Sequence, residues 1–588
     1  MRNPSVADYH RRNHWRASTV VFGCFIVLFG AVAFTSSTYN SPTYDESVHL
    51  FAGYSYLKWG DFRANTEHPP LAKVLAALPL LALDIKEPSR SNPYWELIPK
   101  QRDYSWMMAN QMLFSDNDAE TLFSYAKLPM IALGIVLGVF VYLWASEFFG
   151  LPAAGAAFFL YGLDPNILAH SPIVHTDIPF ATFSFISTYF FCRGLQRWTW
   201  SIFFLTAVFF GLAMISKQAF LTIFPVWGVL ALVKIFLSGP QECHFGEPRT
   251  VSNRWGKAAL FLAVIGGCLI TAYLFIWAAY GFRFDALSPG QSHSISLTEV
   301  IPGNPFLHAL VSSVYKYHLF PEAWTQGFIY HVESLRRPAY LLGQVSESGF
   351  WLYFPVAFAV KTPLPALLLF LVAIGMRVFK RKIRMAEIYL LVPIVVYFLV
   401  AVCSRINIGM RHLLPIYPFL FVLLGGTAAE LWKEGQWYKR SGLILLGFWY
   451  LGSSFQAYPH YLAFFNELAG GAKNGYKVLT DSSLDWGQDL KGLKRWMDQN
   501  GVKKIRLAYF GTADPSYYGI DAVYLPGSVM ASPRPQSQDP EAPRYLAVSV
   551  TYIYGVHSGA PLGGAYRALR SKQPVASIGH TILVYRLE

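Results

Sequence analysis

Residues 17–37 read ASTVVFGCFIVLFGAVAFTSS, and a few positions later the chain turns polar at Tyr44-Asp45-Glu46-Ser47-Val48-His49. A hydrocarbon core about 30 Å thick takes roughly twenty apolar residues of helix, and this run supplies them without a charge. Ala31-Val32-Ala33 resembles a signal-peptide cleavage site, but the apolar stretch is longer than a signal peptide's core, so it is read as a membrane helix. Applied outward along the chain, the same template gives about eleven spans, near 17–37, 123–146, 151–169, 174–193, 200–216, 219–237, 257–280, 350–378, 386–403, 412–431 and 441–457.

Composition agrees with a bilayer setting. Of 588 residues, 54% are hydrophobic, 17% aromatic and only 14% charged, too apolar for an ordinary soluble multidomain protein. The formal charge of +13 does not spread into a basic face, so no nucleic-acid partner is expected. Lys and Arg instead cluster between apolar runs: Arg11, Arg12 and Arg16; Arg193 and Arg197; Arg249, Arg254 and Lys257; Arg377 to Arg384; Lys433, Lys439 and Arg440. With the N-terminus in the cytoplasm, every cluster falls inside, as the positive-inside rule requires. That orientation puts two long loops outside, at about 38–122 and 281–349, together with the C-terminus, in an inner or plasma membrane. The five cysteines show no CxxC spacing, which excludes a metal knuckle or a disulfide framework.

After about residue 457 charge, Pro and Gly rise, and short alternating runs replace the long apolar ones. The fold class expected is therefore mainly α: a polytopic membrane domain over about 1–457, then a small extracytoplasmic α/β domain over about 458–588. Asp485-Trp486-Gly487-Gln488 has the form of an N-cap with a capping-box partner, opening a helix whose Leu490, Leu493, Trp496 and Met497 share a face. Strand-like runs follow at Lys504–Phe510, Tyr545–Tyr554 and Ile578–Arg586. No internal repeat is visible, so the inverted halves of many transporters are not evident.

Polar groups gather where the spans meet the outer side. Asp45 and Glu46 open the first loop, either as a solvated surface turn or as reactive carboxylates. Glu67-His68-Pro69-Pro70-Leu71-Ala72-Lys73 places two prolines where a helix begins. Free N–H groups there, with His68 and Lys73, suit a phosphate, the alternative being a helix cap with a snorkelling lysine. The linker His170 to Pro179 presents His175 and Asp177 to the same side. Ser404 to Pro415 carries Arg405, Arg411 and His412 against the positive-inside rule, either on lipid headgroups or the loop's acids, or as forks for a phosphate. Lys217 and Lys361 stand singly near outer span ends, as anchors or ligands.

The acidic pair just beyond the first span, followed by His68-Pro69-Pro70-Leu71-Ala72-Lys73, resembles the protein O-mannosyltransferases of glycosyltransferase family 39 and their bacterial relatives, the aminoarabinose lipid A transferases among them. The resemblance covers the first two hundred residues or so well and Arg405 to Pro415 loosely. It implies a GT-C-like membrane domain, catalysis in outer loops and a polyprenyl-phosphate sugar as donor. It puts the catalytic acids on Asp45 and Glu46, with Asp45 the general base, and the lipid-phosphate motif on His68 to Lys73, Ala72 replacing a glycine. Leu479 to Leu490 is similar to a tail segment of uncharacterised bacterial members. The luminal β-trefoil of the eukaryotic enzymes is missing, so protein, lipid and glycan all stand as acceptors.

Chemistry then sets the expected roles. A phosphate-lipid is already a good leaving group and needs its charge stabilised more than it needs a proton, so Asp45 would deprotonate an acceptor hydroxyl for a single inverting displacement. His68, Lys73, Lys217, Arg405, Arg411 and His412 are the candidate phosphate ligands, with His175, Asp177 and Lys361 in support. A divalent cation, Mg or Mn, is weighed, with Glu46 and Asp177 as its ligands. The rival reading is a lipid or polysaccharide transporter, which would set its polar groups near mid-bilayer on broken helices. A structural or sensory role fits the polar first loop less well.

Overall fold

The protein, seen in a computed structural model, is described over residues 6–98, 101, 103–288, 305–333, 337–380, 383–527, 543–556 and 563–587. Much of the second expected outer loop (289–304 and 334–336) and the side chains of Arg11, Arg12 and Arg16 lie outside the described residues.

All eleven expected spans are helical, but not all of them are single helices of spanning length. Among the described residues six helices are long and apolar enough to cross a membrane, or seven if the bent pair Tyr353–Lys361 and Leu364–Lys380 counts as one. The chain is a multi-pass membrane protein, and the count of eleven is not confirmed. Length is the reason in two cases: Leu151–Leu163 has 13 residues and Trp200–Met214 has 15, so at 1.5 Å per residue each reaches only about 20 Å. The first stops because Asp164 accepts from the N–H groups of Asn166 and Ile167 and starts a new helix, Pro165–His170. The bent pair turns by 112° at Thr362-Pro363, where proline cannot continue the preceding helix.

The helix Asp177–Gln196 is buried over almost its whole length. Its first turn carries Asp177 and Pro179, an acid favoured by the helix dipole and a proline tolerated there. The first loop folds back onto the bundle as the helix Glu46–Trp59, closed by a left-handed Gly60, and the short helix Leu71–Ala77 that Pro69-Pro70 introduce. These two helices touch so closely that a Cβ on Gly53 would lie 2.0 Å from the Lys73 carbonyl oxygen.

The tail is a small α/β unit, as expected. Its sheet runs Asp521–Tyr524, Lys504–Ala508, Tyr545–Ser549, Ile582–Arg586, Ala576–Ile578 in spatial order. The first three strands are parallel and the last two antiparallel to their neighbours. Helix Leu490–Gln499 buries Leu490, Leu493 and Met497, with Trp496 packed beside them. Two expectations need correction. Residues 550–554 leave the sheet as a helical turn, and Asp485 does not cap the helix: its oxygens accept from the N–H groups of Gly487 and Thr551. The Gln488 amide closes on the Trp486 N–H and the Leu484 carbonyl instead. Two small sheets had no sequence signal, one of Arg197–Thr199, Gln241–His244 and Arg249–Val251, the other of Ala339–Leu341 and Gln344–Ser346.

The tail is joined to the first loop by backbone. Ser41 N–H donates to the Gln488 carbonyl and Tyr44 N–H to the Trp486 carbonyl, both at 2.8 Å. Thr512 Oγ1 donates to the Tyr44 carbonyl at 2.6 Å, and Ser483 Oγ accepts from Met410 N–H at 3.0 Å. The turn that offers the Trp486 and Gln488 carbonyls needs Gly487, whose φ is +83° and where a Cβ would come within 2.7 Å of the Phe510 carbonyl oxygen. Gly487→Ala is therefore expected to cost about 1–3 kcal/mol of stability, read as a lower unfolding midpoint of the purified protein; an unchanged midpoint would show that the turn relaxes freely.

Candidate functional site

Where the first loop, the start of Asp177–Gln196, the turn Met410–Ile416 and the tail meet, they enclose a cavity of about 390 Å³. Its bundle side is charged, lined by Asp45, Glu67, His68, His175, Lys217 and Arg411; its tail side is aromatic, with Trp486, Phe510 and Tyr552.

Asp45 sits in the turn that leads into the helix Glu46–Trp59, next to the Tyr44 that the tail holds, and faces into this cavity. Its Oδ2 lies 3.4 Å from Arg411 Nη1 and 3.4 Å from His175 Nε2. The same Arg411 nitrogen donates to His175 Nε2 at 2.8 Å. Because a guanidinium can only donate, Nε2 is the acceptor there and the ring proton sits on Nδ1, which faces Asp177 Oδ2 at 2.6 Å. The other Asp177 oxygen pairs with Lys217. Trp486 covers the group, its ring 4.3 Å from the Arg411 guanidinium carbon and edge-on to His175 at 5.2 Å, an arrangement that shields the charges from water. Two carboxylates thus meet two fixed cations, which is how buried charge is tolerated.

Burial alone would raise the Asp45 carboxyl, but the Arg411 charge beside it works the other way, and the group is held below its ordinary value. Two further imidazoles border the cavity. Burial, helped by the nearby His175, lowers His49 to about 3, and burial with the Lys217 charge holds His68 well below its usual range. Both are neutral at ordinary pH. His49 Nδ1 donates to the Val174 carbonyl at 3.0 Å, while His68 Nδ1 has no hydrogen-bond partner.

The sequence-derived candidates divide here. Asp45, His68, His175, Lys217, Arg411 and His412 line the cavity, and Asp177 stands directly behind them. Four others do not line it. Glu46 is buried with its oxygens accepting from the N–H groups of Thr43 (2.7 Å) and Val174 (3.1 Å); it fastens the 170s linker to the first loop. Lys73 is wholly buried, donating to the Asn65 carbonyl (2.6 Å), Asn65 Oδ1 (2.9 Å), the His68 carbonyl (2.7 Å) and Tyr56 Oη (3.2 Å). Lys361 donates to the carbonyls of Leu462 (2.9 Å) and Ser483 (2.7 Å), tying the broken helix to the tail. Arg405 is exposed to one side. Glu46 and Asp177 are too engaged to serve as metal ligands, and among the described residues no group of three His, Cys, Asp or Glu is arranged to hold a metal ion.

Sequence reasoning missed Trp106, Tyr330, His331 and Arg337, all at the cavity, with Arg337 Nη2 donating to Tyr330 Oη at 2.7 Å. It also missed every tail residue there, Asp481 and Trp486 included. The one signal for those two was the likeness of Leu479 to Leu490 to other bacterial tails.

Comparison with known proteins adds the following. The family model described as dolichyl-phosphate-mannose-protein mannosyltransferase matches residues 105–240. That span includes His175, Asp177 and Lys217 but neither the Asp45 turn nor Arg411. Among solved structures, ArnT from Cupriavidus metallidurans in the apo state aligns with a TM-score of 0.48 at 12% identity, over 97% of this chain and 98% of that one. The same protein bound to undecaprenyl phosphate aligns with a TM-score of 0.45, also at 12% identity over 97% and 98% of the two chains. The archaeal oligosaccharyltransferase AglB from Archaeoglobus fulgidus, in complex with an inhibitory peptide and a dolichol-phosphate, aligns at 0.42 and 12% identity over 81% of this chain and 58% of that one. No curated protein matches the sequence significantly. Over residues 105–240 the chain is thus similar to the mannosyltransferase family model, while the first-loop motifs at 45–46 and 68–73 lie outside that stretch.

The four acceptors around Lys73 give it a different role from a phosphate ligand. Lys73→Met is expected to lower the unfolding midpoint by leaving buried acceptors unsatisfied, at about 1–3 kcal/mol each, with donor-lipid affinity changed by less than about threefold. A large affinity loss at an unchanged midpoint would restore Lys73 to the binding site.

Proposed function

We propose that this protein transfers a sugar from a polyprenyl-phosphate donor to a hydroxyl acceptor, with inversion, on the extracytoplasmic face of the membrane. The observation that carries this reading is the meeting of Asp45 and Arg411 in one cavity bounded by membrane helices and tail. An ionised carboxylate and a guanidinium at 3.4 Å are the two groups that the displacement needs, a base for the hydroxyl and a counter-charge for the departing phosphate. Asp45 takes the hydroxyl proton as the acceptor oxygen attacks the anomeric carbon. The electron pair of the breaking bond goes to the phosphate oxygen, met by Arg411 with Lys217, His68 and Arg337 close by. The acceptor meets the aromatic tail side, where Phe510 and Tyr552 offer ring faces. The tail and first loop then share the extracytoplasmic side with the C-terminus.

Incubation of the purified protein with labelled polyprenyl-phosphate sugars and cell-envelope fractions tests the reading directly: label should pass to an envelope component, and no transfer from any donor would overturn it. Asp45→Asn should insert normally yet lower transfer at least about a hundredfold, the loss expected of a general base; wild-type turnover would remove Asp45 from the reaction. Arg411→Ala should weaken donor binding about ten- to a hundredfold through one lost charge-assisted contact, whereas exposed Arg405→Ala should leave it unchanged. Equal losses in the two variants would mean that the cavity is not the phosphate site. A reporter fused to the C-terminus should score as extracytoplasmic; cytoplasmic activity would overturn the assigned face.

A further inference from the structure

We propose that His175 is a positioning residue that takes the acceptor's proton onward from Asp45, held for that task by Asp177. The inference deepens the transfer reaction above and rests on it.

The geometry is a line of three groups. Asp177 Oδ2 stands 2.6 Å from His175 Nδ1, and His175 Nε2 stands 3.4 Å from Asp45 Oδ2. In the resting site Arg411 Nη1 lies across the second gap, 2.8 Å from Nε2 and 3.4 Å from the Asp45 oxygen. It therefore covers the lone pair of the imidazole and the carboxylate together. A phosphate that draws the guanidinium to itself uncovers both. Asp45 then faces a neutral ring nitrogen in its acceptor tautomer, and the ring is backed by a carboxylate that stabilises its charged form.

Such a partner serves the chemistry because a carboxylate is a weak base, and a proton passed on to a ring nitrogen leaves Asp45 ionised for the next acceptor. The step balances without another reactant. The acceptor O–H proton goes to Asp45 as the new carbon–oxygen bond forms and the bond to the phosphate oxygen breaks. It then passes to His175 Nε2, while Nδ1–H stays toward Asp177. The groups facing His175 are Asp45 and His49 from the first loop and its helix, His68 just before Pro69-Pro70, Arg411 from Met410–Ile416, Asp177 with Lys217 behind it, and Trp486 from the tail. Once Arg411 has turned away, the nearest charged groups to the ring are the carboxylates of Asp45 and Asp177.

The test follows transfer from a labelled polyprenyl-phosphate sugar to a detergent-extracted envelope fraction across a pH series, with the full-length protein. In the wild type, kcat should fall on the acid side, because a ring already protonated cannot take the proton. His175→Gln should lower kcat about ten- to a hundredfold, remove that acid limb, and leave the donor KM within about threefold. His175→Asn, which keeps an N–H for Asp177 but has no basic nitrogen, should behave alike; unfolding midpoints show that both variants fold. Loss of the acid limb in either folded variant supports the relay. An unchanged pH profile in an active variant, or a loss confined to donor KM, overturns it while the transfer reading stands. Absence of transfer by the wild type overturns both.

Discussion

The site depends on one buried acid. Asp177 is 3% exposed and has a cation on one oxygen and an imidazole on the other. Through Lys217 it joins its own helix to the turn after Trp200–Met214, and through His175 and Arg411 it reaches the Met410–Ile416 turn and the first loop. Removing one partner of a buried pair leaves a charge without compensation, which costs several kcal/mol. The four elements around the cavity are therefore fixed relative to each other by electrostatics as well as by packing. The same pairing settles which groups are available to a ligand. Asp177 is consumed by its neighbours, whereas Asp45 keeps one side open to the cavity.

Much of this was legible in the sequence, and the misses have physical reasons. Charge and proline placement found Asp45, His68, His175, Asp177, Lys217, Arg411 and His412, because polar residues at a membrane boundary are costly and stand out. Charge alone could not say what each group faces. Arg405 and Arg411 read alike in sequence, but the helical turn Met410–Ile416 buries the second and leaves the first exposed. Lys73 was the right residue to notice, yet its ammonium is surrounded by carbonyls from the loop it closes. Helix ends were hidden for a related reason: hydropathy sees apolar residues, while Asp164 and Pro363 decide where helices stop.

The tail was the least legible part, since its contribution is made by backbone across great sequence distance. Tyr44 and Trp486 are joined carbonyl to N–H, a pairing that no local pattern encodes. The cap-like Asp485-Trp486-Gly487-Gln488 does organise a turn, but one that turns Trp486 toward Arg411 and offers two carbonyls to the first loop. A reading of the tail as a separate appended domain therefore understates it. Its residues form part of the wall of the cavity, and outside it Lys491 reaches back to the Thr38 carbonyl at 2.8 Å and to Glu120.

The broken helix Tyr353–Lys361 and Leu364–Lys380 is the feature that a transporter would use, because unwound backbone at membrane depth offers carbonyls to an ion or substrate. Here those groups are already committed. Asn466 Nδ2 donates to the Ala359 and Thr362 carbonyls at 2.6 and 2.7 Å, Asn166 Nδ2 donates to the Lys361 carbonyl at 2.7 Å, and the hydroxyls of Thr362 and Tyr417 pair at 2.6 Å. The break is filled by protein, and its lysine points to the tail instead of a pathway. The cluster of carboxylates, imidazoles and cations that faces a cavity beside Asp45 lies instead under the aromatic residues of the tail, which shield it from water.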